Sequence, residues 1–232
     1  MKTEGLFITG TDTDVGKTLI AGGIAISLAS NYSRVAAYKP VVAGLNLSNG
    51  KWLNDDLLAL ARACTIEISN DEMCPYQLRT PAAPHLVARE ENTDLSYEKM
   101  ISAYQDLAKR CDAIVVEGVG GFLVPLDENK NSGDFAKDIN LPVIMVVGMK
   151  LGCINHALLT AEAVIQRGLT LKGWVANTGP NPMMLLEQNV DTLRKLLPAP
   201  LLGTVPTLTE NLGKTPYSRE TLELVSRYIN LP

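Results

Sequence analysis

The sequence is poor in the residues that build metal-thiolate sites. It has four cysteines and two histidines in 232 residues. Cys64, Cys74, Cys111 and Cys153 are scattered, none in a C-x-x-C pair, and His85 and His156 stand alone. A structural zinc site has too little material, and the thiols read as reduced. Aromatics are only 5% of the chain, which argues against bases stacked on aromatic platforms. Positive charge is also short: the net charge is −4 and the pI about 5.3. No basic footprint for nucleic acid or a membrane surface is expected. The longest apolar run, Leu141 to Met149, falls far short of the roughly 20 residues a spanning helix needs. The N-terminus lacks the pattern of a signal peptide, so a cytoplasmic protein is expected.

What is present is apolar sequence in short pieces. The chain is 46% hydrophobic, enough for a sizeable core, and 20% charged, which excludes disorder. Strands are expected at Gly5–Thr9, Val35–Tyr38, Ala113–Val116, Pro142–Val147, Leu171–Ala176 and Leu201–Val205. Helices are expected at Lys17–Ala29, Asn54–Ala63, Ser96–Lys109, Asn155–Arg167, Met183–Leu196 and Ser218–Ile229. Leu45–Asn54 and Thr204–Ser218 read as surface loops. The runs AIVV and PVIMVV are continuously apolar, as parallel strands buried on both faces should be. Alternating strands and helices predict an α/β fold, a mostly parallel β-sheet with helices on both faces. No repeat and no linker divides residues 1–232, so one domain is expected.

The strongest local signal is Gly10-Thr-Asp-Thr-Asp-Val-Gly-Lys-Thr18, between the first strand and the first helix. That context suits a phosphate loop: inward backbone N–H groups meet the positive end of a helix dipole. Gly16 lets the backbone approach a phosphate, Lys17 supplies a point charge, and the Thr18 hydroxyl can ligate Mg2+. The strict spacing would put the first glycine at Thr11; here it is Gly10. The strand Ala113–Val116 runs into Glu117, followed by Gly118, Gly120 and Gly121. A carboxylate there can hold Mg2+ directly or through water. Nucleoside triphosphate binding follows as the expectation.

Several further segments carry a resemblance. Gly10–Thr18, Tyr38-Lys-Pro-Val41, Val116-Glu-Gly-Val-Gly-Gly121, Lys150-Leu-Gly-Cys-Ile-Asn-His156, Gly173-Trp-Val-Ala-Asn177 and Pro198–Gly203 occur in that order. Together they resemble the dethiobiotin synthetase family of P-loop NTPases, which has a Rossmann-like three-layer fold. The resemblance implies ring closure on 7,8-diaminononanoate with CO2, ATP and Mg2+. The products are dethiobiotin, ADP and phosphate, formed through a carbamic–phosphoric anhydride. It implies Lys39 and Lys17 as the catalytic cations and Thr18, Asp56 and Glu117 as Mg2+ ligands, with Asp55 a rival to Asp56. Nucleotide contacts are implied for Asp14, Val15, Gly16, Leu19, Gly118, Val119, Gly120, Asn177, Thr178, Pro206, Thr207 and Leu208. Diamine contacts are implied for Thr13 and Ala43. Gly152, Cys153, Ile154 and Asn155 would come from the neighbouring subunit of a homodimer and hold the substrate carboxylate.

Three positions depart from the family pattern. Ala43 stands where a hydroxyl residue is common, Thr207 where an aromatic is common, and Pro81-Ala-Ala-Pro84 lacks hydroxyls between its prolines. Two rival readings remain. Amidoligases of the same superfamily usually add a glutaminase domain, for which this chain is too short. Partition and division-site ATPases carry a lysine five residues before the loop lysine, where this chain has Asp12, and a basic membrane-targeting helix that is missing here.

Overall fold

The computed structural model describes residues 3–181 and 183–231. The chain runs β1 (Glu4–Gly10), α1 (Lys17–Leu28), β2 (Val35–Tyr38), β3 (Val42–Ala43), β4 (Asn46–Ser48), β5 (Lys51–Leu53), α2 (Asp55–Ala63), α3 (Asn70–Met73) and β6 (Gln77–Leu78). It continues through α4 (Pro84–Glu90), α5 (Tyr97–Ala108), β7 (Ala113–Glu117), α6 (Ser132–Ile139), β8 (Val143–Gly148), α7 (Cys153–Gln166), β9 (Leu171–Asn177), α8 (Leu186–Leu196), β10 (Leu201–Val205) and α9 (Arg219–Ser226).

Six strands form one sheet in the order β10-β9-β8-β1-β7-β2. Every pairing in it is parallel. Successive strand residues point to opposite faces, and the core divides accordingly. Phe7, Tyr38, Val116, Met145 and Trp174 pack with α5, α6, α7 and α8 on one face. Leu6, Ile8, Ala37, Val115, Val146 and Val175 pack with α1, α2 and α9 on the other. The expected α/β architecture, with helices on both faces, is the one observed. Burying each large aliphatic side chain is worth about 1.5–3 kcal/mol, so both faces drive the sheet's assembly.

α1 is buried nearly all round because it lies under the sheet and against α9. A Cβ on Gly22 would come within 2.7 Å of Leu222, and one on Gly23 within 2.9 Å of Val225. The two glycines are therefore what allows the α1–α9 approach.

The structure corrects three sequence expectations and adds elements that were not expected. Leu45–Asn54 is not a plain loop: β4 and β5 pair antiparallel as a hairpin. The helix expected from Met183 starts at Leu186, because Leu185 has left-handed backbone (φ 55°). The helix expected from Asn155 starts two residues earlier, at Cys153. A helix that the pattern missed, α6, starts at a reciprocal capping box between Asn131 and Asp134.

Candidate active site

The sheet's register assembles the site. Tyr38 lies opposite Val116, so Lys39 follows β2 beside Glu117 at the end of β7. Glu117 is also opposite Ile8 of β1, two residues before the phosphate loop. Alternation aims Lys39 and Glu117 at the face carrying α1, as it aims Ala37 and Val115. There they meet Thr18, in the first turn of α1. Asp56 arrives from α2, whose N-terminus is fixed by Asn54: its side-chain oxygen accepts from the Asp56 and Leu57 N–H groups. The Asn54 amide also donates to the Gly44 carbonyl at 3.0 Å.

Four side chains close on one another. The Thr18 hydroxyl is 2.8 Å from Asp56 Oδ1 and 2.9 Å from Glu117 Oε1. Lys39 Nζ donates to Asp56 Oδ2 at 2.8 Å and to Glu117 Oε1 at 2.5 Å. Asp56, not its neighbour Asp55, reaches Thr18. Burial opposes charge on Lys39, but Glu117 and Asp56 outweigh it and hold the ammonium above its ordinary range. Burial also pushes the Asp56 carboxyl up, and Lys39 overrides it, for a net fall. For Glu117, which is 1% exposed, burial prevails and the carboxyl is raised despite Lys39.

Lys17 is buried in the phosphate loop, where its ammonium donates to the Asp12 carbonyl at 3.0 Å. Burial lowers it to about 8, with Glu117 pulling upward and Lys39 downward. Gly16 (φ 89°) caps α1 in left-handed backbone, and Asp14 (φ 57°) shares that conformation. Left-handed residues at a helix N-terminus turn N–H groups towards one point, which suits an anion. Asn177, at the end of β9, clamps the loop by donating its amide to the Val15 carbonyl at 2.9 Å.

Thr18, Asp56 and Glu117 form an all-oxygen donor set that fits Mg2+. Glu117 Oε2 is buried without a hydrogen-bond partner among the described residues, as an oxygen awaiting a cation would be. No cluster of three or more His, Cys, Asp or Glu occurs among the described residues. Glu117→Gln is expected to move the Mg2+ requirement at least about tenfold upward. An unchanged Mg2+ titration of turnover would remove Glu117 from the ligand set.

A cleft of about 700 Å³ joins these groups. Of the residues expected from sequence it contains Thr13, Asp14, Gly16, Lys17, Thr18, Lys39, Ala43, Asp56, Glu117, Val119 and Gly120. Val15 and Leu19 are buried in the core beneath the loop, so only their backbone can face a ligand. The Gly118 N–H is used on the Ile8 carbonyl. Asn177, Thr178 and Pro206–Leu208 lie at the ends of β9 and β10, linked through Thr178 and Thr207 hydroxyls 3.2 Å apart. Gly152, Cys153, Ile154 and Asn155 begin α7 and do not line this chain's cleft. The other walls were not expected as contacts: Val41, Val42, Pro81–Pro84, Val124, Thr215 and Tyr217. Of these, Val41 ends the Tyr38-Lys-Pro-Val41 motif and the paired prolines mark Pro81–Pro84, while the rest carried no signal.

The likenesses to known proteins agree with this geometry. Residues 4–214 match the model of a family described as "AAA domain". The ATP-dependent dethiobiotin synthetase BioD of Aromatoleum aromaticum is 44% identical over 200 residues, covering 86% of this chain and 89% of that protein. Two solved structures share the fold. The ParA family ATPase of Chlorobium tepidum has a TM-score of 0.56 at 13% identity, over 98% of this chain and 96% of that one. The Mg-ADP complex of the septum site-determining protein MinD from Pyrococcus horikoshii has a TM-score of 0.55 at 15% identity, over 96% and 86%. Asp12 is paired with Lys150 at 2.7 Å. With 44% identity across most of both chains, the protein belongs to the family of ATP-dependent dethiobiotin synthetases.

Proposed function

We propose that the protein is the cyclo-ligase that closes the urea ring of dethiobiotin on 7,8-diaminononanoate, using CO2 and ATP with Mg2+, in biotin biosynthesis. The observation that carries it is a cleft lined by two chemically distinct sets of residues. One is Lys17, Lys39, Thr18, Asp56 and Glu117. The other is apolar: Val41, Val42, Ala43, Pro81–Pro84, Val119 and Val124. The first suits phosphoryl transfer and the second the alkyl chain of an amino acid.

The substrate amine takes up CO2 and releases a proton, giving a carbamate. Its oxygen attacks the γ-phosphorus, and the bond to the β-phosphate oxygen breaks to free ADP. The second amine attacks the carbonyl carbon, the C–O bond to phosphate breaks, phosphate leaves, the amine gives up a proton and the ring closes. The difficult step brings one anion onto another, so charge neutralisation and positioning matter more than a strong base. Lys39, buried and held charged, neutralises the transferring group, while Lys17 acts from the loop. Mg2+ held by Thr18, Asp56 and Glu117 would draw charge from the phosphate oxygens. Asp14 and Thr13 also line the cleft, and in this reading Thr13 hydrogen-bonds near the diamine while Asp14 meets its amines or the nucleotide.

The same reading makes the protein a cytoplasmic homodimer with one catalytic domain per chain. The partner's copy of the segment 152–155 then holds the substrate carboxylate. Its exposed start supports this: Leu151 is 96% exposed, and Gly152 and Asn155 are also exposed. Among the described residues, no helix is long and apolar enough to cross a membrane.

The deciding experiment follows phosphate release from MgATP and bicarbonate, with and without the diamine, and identifies product by mass spectrometry. Diamine-dependent release with one dethiobiotin formed per phosphate is expected. Phosphate release indifferent to the diamine would keep the phosphate loop and overturn the acceptor.

A further inference from the structure

Two cleft residues, Thr215 and Tyr217, come from the segment between β10 and α9. That segment is stapled to α2. Arg62, in the last turn of α2, donates to the Pro216 and Tyr217 carbonyls, both at 2.7 Å. Arg219 of α9 donates back to the Arg62 carbonyl at 3.0 Å. Ser218 caps α9 by accepting from the Thr221 N–H, and the Thr221 hydroxyl donates to the Leu212 carbonyl at 3.1 Å. α9 packs against α1 at Gly22 and Gly23. The segment is thus tied to both helices that bring metal donors: α1 through Thr18 and α2 through Asp56.

Tyr217 is half-buried and packs against the apolar core on the α1 face. Burial, then the charges of Asp56, Glu117 and Asp14, push its phenol up. An ordinary phenol is already neutral near pH 7, and Tyr217 lines the same cleft as Asp14, Gly16, Lys17, Asp56 and Glu117, so it offers an uncharged O–H donor there. A neutral donor adds a hydrogen bond to an anion there without adding to the crowd of charges.

We propose that Tyr217 is a nucleotide-binding residue, its phenol donating to the metal-bound triphosphate, with Arg62 as the positioning residue that holds it in the cleft. The proposal rests on the ATP-dependent reading above. It assigns a ligand contact to a stretch that the family's motifs do not reach.

The test is calorimetric titration with the Mg2+ complex of β,γ-imido-ATP, in the absence of diamine, so that binding is read without turnover. Tyr217→Phe keeps the ring and its packing and removes only the donor. A hydrogen bond to a charged acceptor predicts about tenfold weaker nucleotide binding. The KM for the diamine should stay unchanged. Arg62→Ala should weaken binding in the same range, and the double variant no further, because Arg62 acts through Tyr217. Arg62→Lys, which can reach at least one of the two carbonyls, should recover part of the loss. Two results would overturn the proposal: nucleotide affinities of Tyr217→Phe within twofold of wild type, or a shift confined to the diamine KM. Should Arg62→Ala not fold, Tyr217→Phe decides alone. A wild-type protein that binds no Mg-nucleotide would overturn the synthetase reading as well, a result distinct from normal wild-type binding with unaffected variants.

Discussion

Lys39→Ala is expected to lower kcat by about a thousandfold or more while moving the KM for ATP little. A cation that stabilises charge in phosphoryl transfer contributes on the order of 10³–10⁵ to the rate. Its contribution is largest in the transition state, so it appears in kcat rather than in binding. Lys39 is placed for that work: its ammonium is buried, touches Asp56 and Glu117, and lines the cleft with Lys17. The same substitution has a second readout. It strips Glu117 of its only ion-pair partner among the described residues, and Glu117 is 1% exposed. Removing one member of a buried pair costs about 3–5 kcal/mol. The Glu117 carboxyl is already raised by burial and can take up a proton once unpaired, so the lower end applies, and at roughly 2–4 °C per kcal/mol the metal-free variant should melt several degrees below wild type. Adding Glu117→Gln removes the stranded charge and should recover most of that loss without restoring turnover. A variant in which only the KM for ATP moves would make Lys39 a binding residue.

Much of this site was legible because its parts sit at strand ends. The phosphate loop follows β1, Lys39 follows β2, and Glu117 ends β7, so each motif was marked by the apolar run before it. Parallel register then brings adjacent strand ends together, and period-two alternation sets their common face. The choice of Asp56 over Asp55 was not fixed by residue type. It depends on which first-turn acid of α2 faces Thr18, a matter of helix phase. What stayed illegible has little periodic burial. The hairpin at Asn46–Leu53 is mostly exposed, so no hydrophobic alternation announces it, although Asn49-Gly50 is a turn signal for such hairpins. Both turn residues are left-handed, with φ of 50° and 74°. Tyr217 reads as one more residue of a polar stretch. Long-range ties carry it to the cleft, among them the Arg62 staple, 154 and 155 positions away in sequence from its two acceptors.

Gly16→Ala is expected to abolish turnover and to weaken MgADP binding by about a hundredfold or more, with the core intact. Two penalties coincide at this position. The backbone is left-handed (φ 89°), a conformation that costs a residue with a Cβ about 1–3 kcal/mol. The added Cβ would also lie 2.2 Å from Asn177 Nδ2. No contact that short survives, so either the loop or the amide must shift. If the amide shifts, the Val15 carbonyl loses its donor at 2.9 Å and the loop loses its clamp to β9. If the loop shifts, the N–H groups between Asp14 and Thr18 no longer converge on one anion. Phosphate affinity falls either way. The double variant Gly16→Ala with Asn177→Ala separates the terms. It removes the clash but keeps the strained backbone and the missing clamp, so MgADP affinity should recover only in part. Full recovery would assign the whole effect to the collision, and wild-type affinity in Gly16→Ala alone would mean that this loop does not seat the phosphates. The small residue at position 16 and the amide at position 177 are therefore one device. Glycine leaves the space that the amide fills, and the amide holds the loop in the shape that only glycine adopts without strain.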